Sequence, residues 1–481
     1  MTKPLRWKPK FHLMPPTGWL NDPNGLCQFH GIYHVFFQYR PGSALGTGET
    51  GWGHYTSPDL LHWTFQGMPL RPDQYFDRDG VYSGSALIDD DTLLLFYTGN
   101  VKHPGDFDYI SSGREANVVL VTSPDGITFS EKEPLLGNAD YPSACTCHVR
   151  DPKVWKDGPD YYMVLGARLR GVTSGRSDTS NYGDTSAHGD TSDYGGVLLY
   201  HSTDCRRFHY VNTITSPEPF GYMWECPDLF SIDGHQLLSL SPQGLRRESH
   251  RFQNIYQSGY FTVDGDINGT YTLSDFKEWD MGFDFYAPQT FCDEQGRRIL
   301  IGWMGLPDIK DEYSNPTVQD GWQHILTIPR EIFVNQTGAI CQRPIAEFET
   351  LRQKEHTLAD QSTLTIATPF DLIVTPDGSE DDTTITLYGG ALQISCSPVR
   401  GEYSMAFTPH ASSPGHGRTI RRAKLPNTPA QIRVLCDTSA VEVFFGDGET
   451  VMSTRIYPDT DTPATLTITG ATARLWELNI H

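Results

Sequence analysis

One turn recurs along this chain, and its spacing limits the folds open to it. The copies read Ser57-Pro-Asp-Leu-Leu-His-Trp63, Ser123-Pro-Asp-Gly-Ile-Thr-Phe129 and Ser202-Thr-Asp-Cys-Arg-Arg-Phe208, with a shorter fourth, Ser274-Asp-Phe-Lys-Glu-Trp279. Ser and Asp side chains bond nearby backbone amides and hold a turn, while the closing aromatic packs beneath it. The copies begin 66, 79 and 72 residues apart, and β-rich runs such as Tyr33–Tyr39, Val118–Thr122 and Gly196–Tyr200 precede them. A period of about 70 exceeds that of familiar propeller repeats but suits four-stranded blades with long loops. Five such blades fit before about residue 340. The 45 glycines and 33 prolines supply the turns that many short strands require.

The pattern changes after that point. Arg343–Gln353 has apolar residues at 345, 348 and 351, which predicts a short helical connector. Beyond it, period-two alternation dominates in Thr363–Ala367, Thr383–Tyr388, Ala391–Ile394, Gln431–Leu435, Val441–Phe445 and Ala464–Ile468. Alternation at that density predicts an antiparallel sandwich. The expected fold is therefore all-β: a five-bladed β-propeller over 1–342, a linker over 343–354 and a β-sandwich over 355–481.

A formal net charge of −22 sets the surface against phosphate backbones and anionic lipid, so neither nucleic acid nor membrane is an expected partner. No stretch reaches the ~18 apolar residues of a membrane span. Residues 1–10 are basic but lack an apolar core, so they do not read as a secretory leader. Nine irregularly spaced cysteines make no disulfide framework and read as reduced thiols, which predicts a cytoplasmic protein. Cys145-Thr-Cys147 has the wrong spacing for zinc and reads as packing. Three tandem hexapeptides over 178–195, each opening Asp-Thr-Ser, are polar throughout and predict an exposed loop.

The chemistry has to be sought among acids. The chain has no Gly-rich phosphate loop, no Gly-x-Ser-x-Gly elbow, no His-Glu-x-x-His and no paired Cys-x-x-Cys. Three acids share one context instead: Asp22 in Trp19-Leu-Asn-Asp-Pro-Asn-Gly25, Asp151 in Arg150-Asp-Pro152, and Glu225 in Trp224-Glu-Cys-Pro227. Each stands one or two positions before a proline, which disfavours helix and is tolerated at a strand's start. In a propeller such strand mouths converge on the axial funnel.

These three segments resemble the signature motifs of glycoside hydrolase family 32, the β-fructofuranosidases or invertases. Further matches run along nearly the whole chain: Phe37-Gln-Tyr39, Trp52-Gly-His54, Tyr82–Ala86, Asp284–Gln289, Gly302-Trp303, Leu326–Glu331, Asp437–Phe444 and Ser453–Tyr457. The resemblance implies a propeller followed by a sandwich, and a retaining hydrolase of sucrose-like β-fructosides that needs no metal or other cofactor. It makes Asp22 the nucleophile, Glu225 the general acid/base and Asp151 a stabiliser of the transition state. Asn21, Gln38, Trp52, Tyr82, Ser85, Arg150 and Trp303 fall at positions that line the fructose pocket. Neighbouring charges of Asp22 and Asp151 are expected to raise the pKa of Glu225. Two departures stand out: Leu45-Gly46 where many members carry Trp-Gly, and Tyr82 where Phe is frequent.

Several alternatives stay open at this stage. The same site could prefer sucrose 6-phosphate or short fructo-oligosaccharides, or transfer fructose to a sugar. A non-catalytic sugar-binding propeller belongs to a different class, though a binder has no need of a nucleophile and an acid together. Whether the protein is a homo-oligomer is not legible either.

Overall fold

The computed structural model describes residues 6–171, 192–409, 413–459 and 464–480. The tandem hexapeptides lie outside these residues except for 192–195.

Five antiparallel meanders of four strands follow one another along the chain, with extra two-residue strands in blades 1, 4 and 5. Their first strands are Gly18–Phe29, Val81–Asp89, Cys145–Asp157, Met223–Ile232 and Tyr286–Cys292. Each of these touches the first strand of the next sheet, and the fifth touches the first. That closed ring makes the sheets blades of a five-bladed propeller. A short strand, Trp322–Gln323, runs parallel to the start of Gly18–Phe29 and ties the last blade's excursion to blade 1.

The strands are apolar on both faces because each blade is sandwiched between two others. In Thr92–Lys102 of blade 2, Leu93, Leu95 and Tyr97 pack with Phe36 and Trp52 of blade 1. Leu94 and Phe96 of the same strand pack with Val154, Met163 and Leu165 of blade 3. Equivalent clusters join blades 3 to 4 and 4 to 5, so the core is a set of wedges between blades.

The repeated turn closes the third strand of blades 1, 2 and 3 with the same bonds. Asp59, Asp125 and Asp204 each accept, through Oδ1, from the backbone N–H groups two and three residues on. The residue after each, Leu60, Gly126 or Cys205, sits at φ of 63°, 74° and 57°. The shorter fourth copy forms differently: Ser274 Oγ accepts from the Thr262 N–H at 2.8 Å.

The last blade strand, Ile340–Pro344, leads into a 3₁₀ helix over Ala346–Leu351, whose i, i+3 spacing buries Phe348 and Leu351 together with Ile345. The first sandwich strand begins at Arg352. Two six-stranded sheets then face each other over a core including Leu372, Val374, Ile394, Met405 and Val443.

Part of the seam between propeller and sandwich is a polar network that is fully buried. Arg330 of blade 5 donates to Glu442 at 2.6 Å, to Ser453 at 2.7 Å and to Asp280 at 3.1 Å. An N-terminal strap enters the same network. The N–H groups of Lys10, Phe11 and His12 donate to Asp437, and the His12 ring bridges Asp437 and Glu442 at 2.9 Å each.

Candidate active site

Every blade carries one surplus residue in its first strand at the same height. Register skips fall between Leu20 and Pro23, Tyr82 and Gly84, Arg150 and Lys153, Glu225 and Asp228, and Tyr286 and Gln289. Such bulges re-aim side chains. The bulged tripeptides are Asn21-Asp22-Pro23, Tyr82-Ser83-Gly84, Arg150-Asp151-Pro152, Glu225-Cys226-Pro227 and Tyr286-Ala287-Pro288. Proline has no N–H to leave unpaired, so four of the five use it. Asp151, Cys226 and Ala287 hold φ of 64°, 48° and 47°. Side chains rarely adopt that region, and such strain gathers at functional sites.

The bulges build the site in layers. The first residues of the five tripeptides, Asn21, Tyr82, Arg150, Glu225 and Tyr286, all line one cavity of about 350 Å³. From the second position Asp22, Ser83 and Asp151 line it as well. The Cys226 thiol stands 3.8 Å from Asp22 and 3.6 Å from Asp151, and its backbone N–H donates to Asp151 at 2.9 Å. One position past the prolines and Gly84, a third layer follows: Asn24, Ser85, Lys153, Asp228 and Gln289. It is tied together by Lys153 Nζ to Asp228 at 3.2 Å and Gln289 to the Gly84 carbonyl at 2.8 Å.

Eight of the ten residues expected from the sequence therefore share the cavity wall: Asn21, Asp22, Gln38, Tyr82, Arg150, Asp151, Glu225 and Trp303. Trp52 and Ser85 stand outside that wall. Trp52 is fully buried between blades 1 and 2 against Phe36 and Tyr97, and its Nε1–H supports the Tyr82 carbonyl at 3.0 Å. Ser85 lies in the third layer, where its Oγ accepts from the Val154 N–H at 3.3 Å. Sequence reasoning missed Trp19, Arg40, Ser83, Gln243, Tyr286 and Asp308 on the wall. Ser83 and Tyr286 lay inside segments already matched, whereas Gln243 sits on a second strand with no motif to mark it.

Each acid has its own surroundings. Asp22 accepts from Ser83 Oγ at 2.5 Å and from Asn21 Nδ2 at 3.0 Å. Burial raises its pKa, and those two donations oppose the rise. Glu225 Oε2 accepts from Tyr286 OH at 2.7 Å and Gln243 Nε2 at 2.8 Å, while its Oε1 faces Arg150 at 3.5 Å. Burial is the main reason its pKa is raised; Asp22 adds to the rise, and Arg150, Tyr286 and Gln243 resist it. The rise expected from neighbouring charge is present through Asp22, with burial ahead of it. Burial also pushes Asp151 up to about 7, against the pull of Arg150 and with the repulsion of Glu225 and Asp22.

The two carboxyls share one cavity in different surroundings, Asp22 held by two donors and Glu225 with Oε2 fixed and Oε1 facing Arg150, and such a pair can serve as nucleophile and acid. A larger cavity, about 520 Å³, opens where blade 5 meets the sandwich, but Asp447 is its one carboxylate. Among the described residues no group of three His, Cys, Asp or Glu side chains is placed to hold a metal, and no helix is long and apolar enough to cross a membrane.

Comparison with known proteins agrees with this geometry. Residues 12–183 and 176–344 match the model of the glycosyl hydrolases family 32 N-terminal domain, and 347–481 match that of the family 32 C-terminal domain. The chain belongs to glycoside hydrolase family 32. This family-32 hydrolase is 36% identical to the sucrose-6-phosphate hydrolase of Bacillus subtilis (strain 168), over 98% of this chain and 92% of that protein. It is 38% identical to the raffinose invertase of Escherichia coli, over 95% and 90%. Among solved structures, the sucrose-6-phosphate hydrolase of Lactobacillus gasseri superposes with a TM-score of 0.83 at 27% identity, covering 98% of this chain and 93% of that one. A β-fructofuranosidase of Bombyx mori gives 0.80 at 29% identity, over 98% and 94%.

Proposed function

We propose that this hydrolase releases fructose from the terminal β-D-fructofuranoside of sucrose and related short fructosides, with retention of configuration. Asp22 attacks the anomeric carbon of fructose while protonated Glu225 gives its proton to the leaving glycosidic oxygen. Glu225, now a carboxylate, takes a proton from water, and that water cleaves the fructosyl ester on Asp22. Asp151, with Arg150, Asn21 and Gln38, holds fructose hydroxyls, and the indole of Trp303 faces sugar C–H surface.

The observation that carries this reading is the split environment of Glu225. With Oε2 fixed by Tyr286 and Gln243, Oε1 is the oxygen left to carry the proton. The propeller supplies all of these groups, so we assign it the chemistry and give the sandwich over 355–481 a supporting role. A cytoplasmic location fits the nine free cysteines. The test is to add sucrose, assay free glucose, and read the anomer of the first-formed fructose by NMR. First-formed α-fructose would refute retention, and no glucose would refute the activity.

A further inference from the structure

Asp308 is an acid on the cavity wall with no part in the double displacement. It lies on the excursion of blade 5, exposed at the rim, and buried Leu306 and Ile309 anchor the segment on either side. The usual local uses of such an acid are missing. Asp308 precedes the 3₁₀ turn Ile309–Asp311 as its N-cap residue, yet its carboxylate makes no capping bond. Among the described residues it forms no ion pair, and its φ of 58° is one that side chains rarely adopt.

What holds the carboxylate is a buried tyrosine. Tyr256 OH donates to Asp308 Oδ2 at 3.2 Å, and the same hydroxyl is bonded to that of Tyr222. The Tyr256 backbone bridges Gln243, whose amide holds Glu225 at 2.8 Å. Its ring centroid lies 6.1 Å from that of Tyr286, which holds the same Glu225 oxygen. A strip of touching groups therefore climbs the seam of blades 4 and 5, from Glu225 through Gln243, Tyr286 and Tyr256 to Asp308. Fructose lies inward against Asp22 and Asp151, and the leaving hexose lies on the outer side of the Glu225 proton, along this strip. A carboxylate only accepts hydrogen bonds, at about four lone-pair sites. With Tyr256 on Oδ2, Asp308 keeps Oδ1 for hydroxyl donors, and bonds to a charged acceptor are the strong ones.

We infer that Asp308 accepts hydroxyl groups of the leaving hexose and so decides which leaving groups the enzyme favours. This rests on the fructosidase reading above and adds a specificity-determining residue to it. Tyr256 is the positioning residue, aiming the carboxylate by one oxygen and leaving the other free. A leaving group without hydroxyls gains nothing from Asp308.

The test compares kcat/KM for sucrose and for p-nitrophenyl β-D-fructofuranoside, whose leaving group has no hydroxyls to read, in the intact enzyme and in Asp308→Ala, Asp308→Asn and Tyr256→Phe. Asp308→Ala should lower the sucrose value by about 10–100-fold, the size of a lost hydrogen bond to a charged group, and the aryl value by less than about threefold. Asp308→Asn, of the same shape with a neutral acceptor, should fall between parent and Asp308→Ala. Tyr256→Phe keeps the carboxylate but frees it, so the sucrose-to-aryl ratio should drop by less than in Asp308→Ala. Glucose should inhibit Asp308→Ala more weakly than the parent, and thermal melting checks that every variant is folded. A sucrose-to-aryl ratio unchanged within about twofold in both Asp308 variants, whether both values fall or neither does, would overturn the inference while leaving the fructosidase reading intact. If the parent releases fructose from neither substrate, both fall.

Discussion

Replacing Tyr286 with Phe isolates the bond that tunes the acid. Tyr286 OH donates to Glu225 Oε2 at 2.7 Å in a buried setting, and a donor of that kind favours the carboxylate over the protonated form. Hydrogen bonds to charged groups are worth about 1.5–3 kcal/mol, which is roughly one to two pH units at 1.36 kcal/mol per unit. Gln243 still holds the same oxygen at 2.8 Å, so the lower end applies, about one unit. The sign follows: without Tyr286 the pKa of Glu225, already raised by burial, rises further. Glu225 has to be protonated for the first step, so the alkaline limb of kcat/KM against pH should move up by about one unit. The second step needs the carboxylate as base and should show its loss at low pH. Measuring kcat/KM for the natural fructoside between pH 4 and 10 decides the matter. An alkaline limb that stays in place, or moves down, would refute the assignment of Oε2 to Tyr286 and of that limb to Glu225.

Three further outcomes are expected. Asp22→Ala should abolish turnover on every fructoside, whereas Glu225→Ala should lose roughly 10²–10⁴-fold on sucrose and much less on an aryl fructoside; azide should rescue only the latter variant, and rescue of Asp22→Ala alone would exchange the two roles. Asp151 is pushed from 3.8 up to about 7 when folded, so its carboxyl binds the proton more tightly in the native state and turns against folding as pH climbs between those values. Asp151→Asn should therefore be inactive yet melt higher, with a gain that grows from about pH 4 to pH 7 toward a few kcal/mol; a melting curve unchanged at pH 7 would contradict this. Arg330→Met leaves Glu442 and Asp280 buried without their shared cation, which should cost about 3–5 kcal/mol in denaturant unfolding; a loss below about 1 kcal/mol would mean the seam contributes little.

The repeat was legible because its turn depends on local chemistry. A Ser and an Asp two residues apart bond the same amides wherever they occur, so blades 1, 2 and 3 announce themselves. Blade 4 carries a shortened copy, and its turn closes through Ser274 without the Asp bonds. The acids were legible through their prolines, which mark positions where a strand gives up a ladder bond. Strand alternation could not say which way each neighbour points, since a bulge adds one residue and shifts everything after it. Ser85 is the example: two positions past Ser83, it drops into the third layer instead of the wall. Trp52 stands off the wall for another reason: a tryptophan in a sugar-like motif reads the same whether it stacks on ligand or fills a wedge between blades. Gln243 reaches the wall from a second strand, where only the folded arrangement brings it to Glu225.

The N-terminal strap has a consequence for how the chain is made. His12 finds its place only against Asp437 and Glu442, 425 and 430 residues later. Those partners emerge from the ribosome after all five blades, so the strap spends nearly the whole of synthesis unseated. Until the sandwich arrives, Arg330 lacks Glu442 and the Asp280 carboxyl is short of its Ser453 donor. Residues made early are thus among the last to be locked, and the finished seam is a record that the sandwich has been delivered.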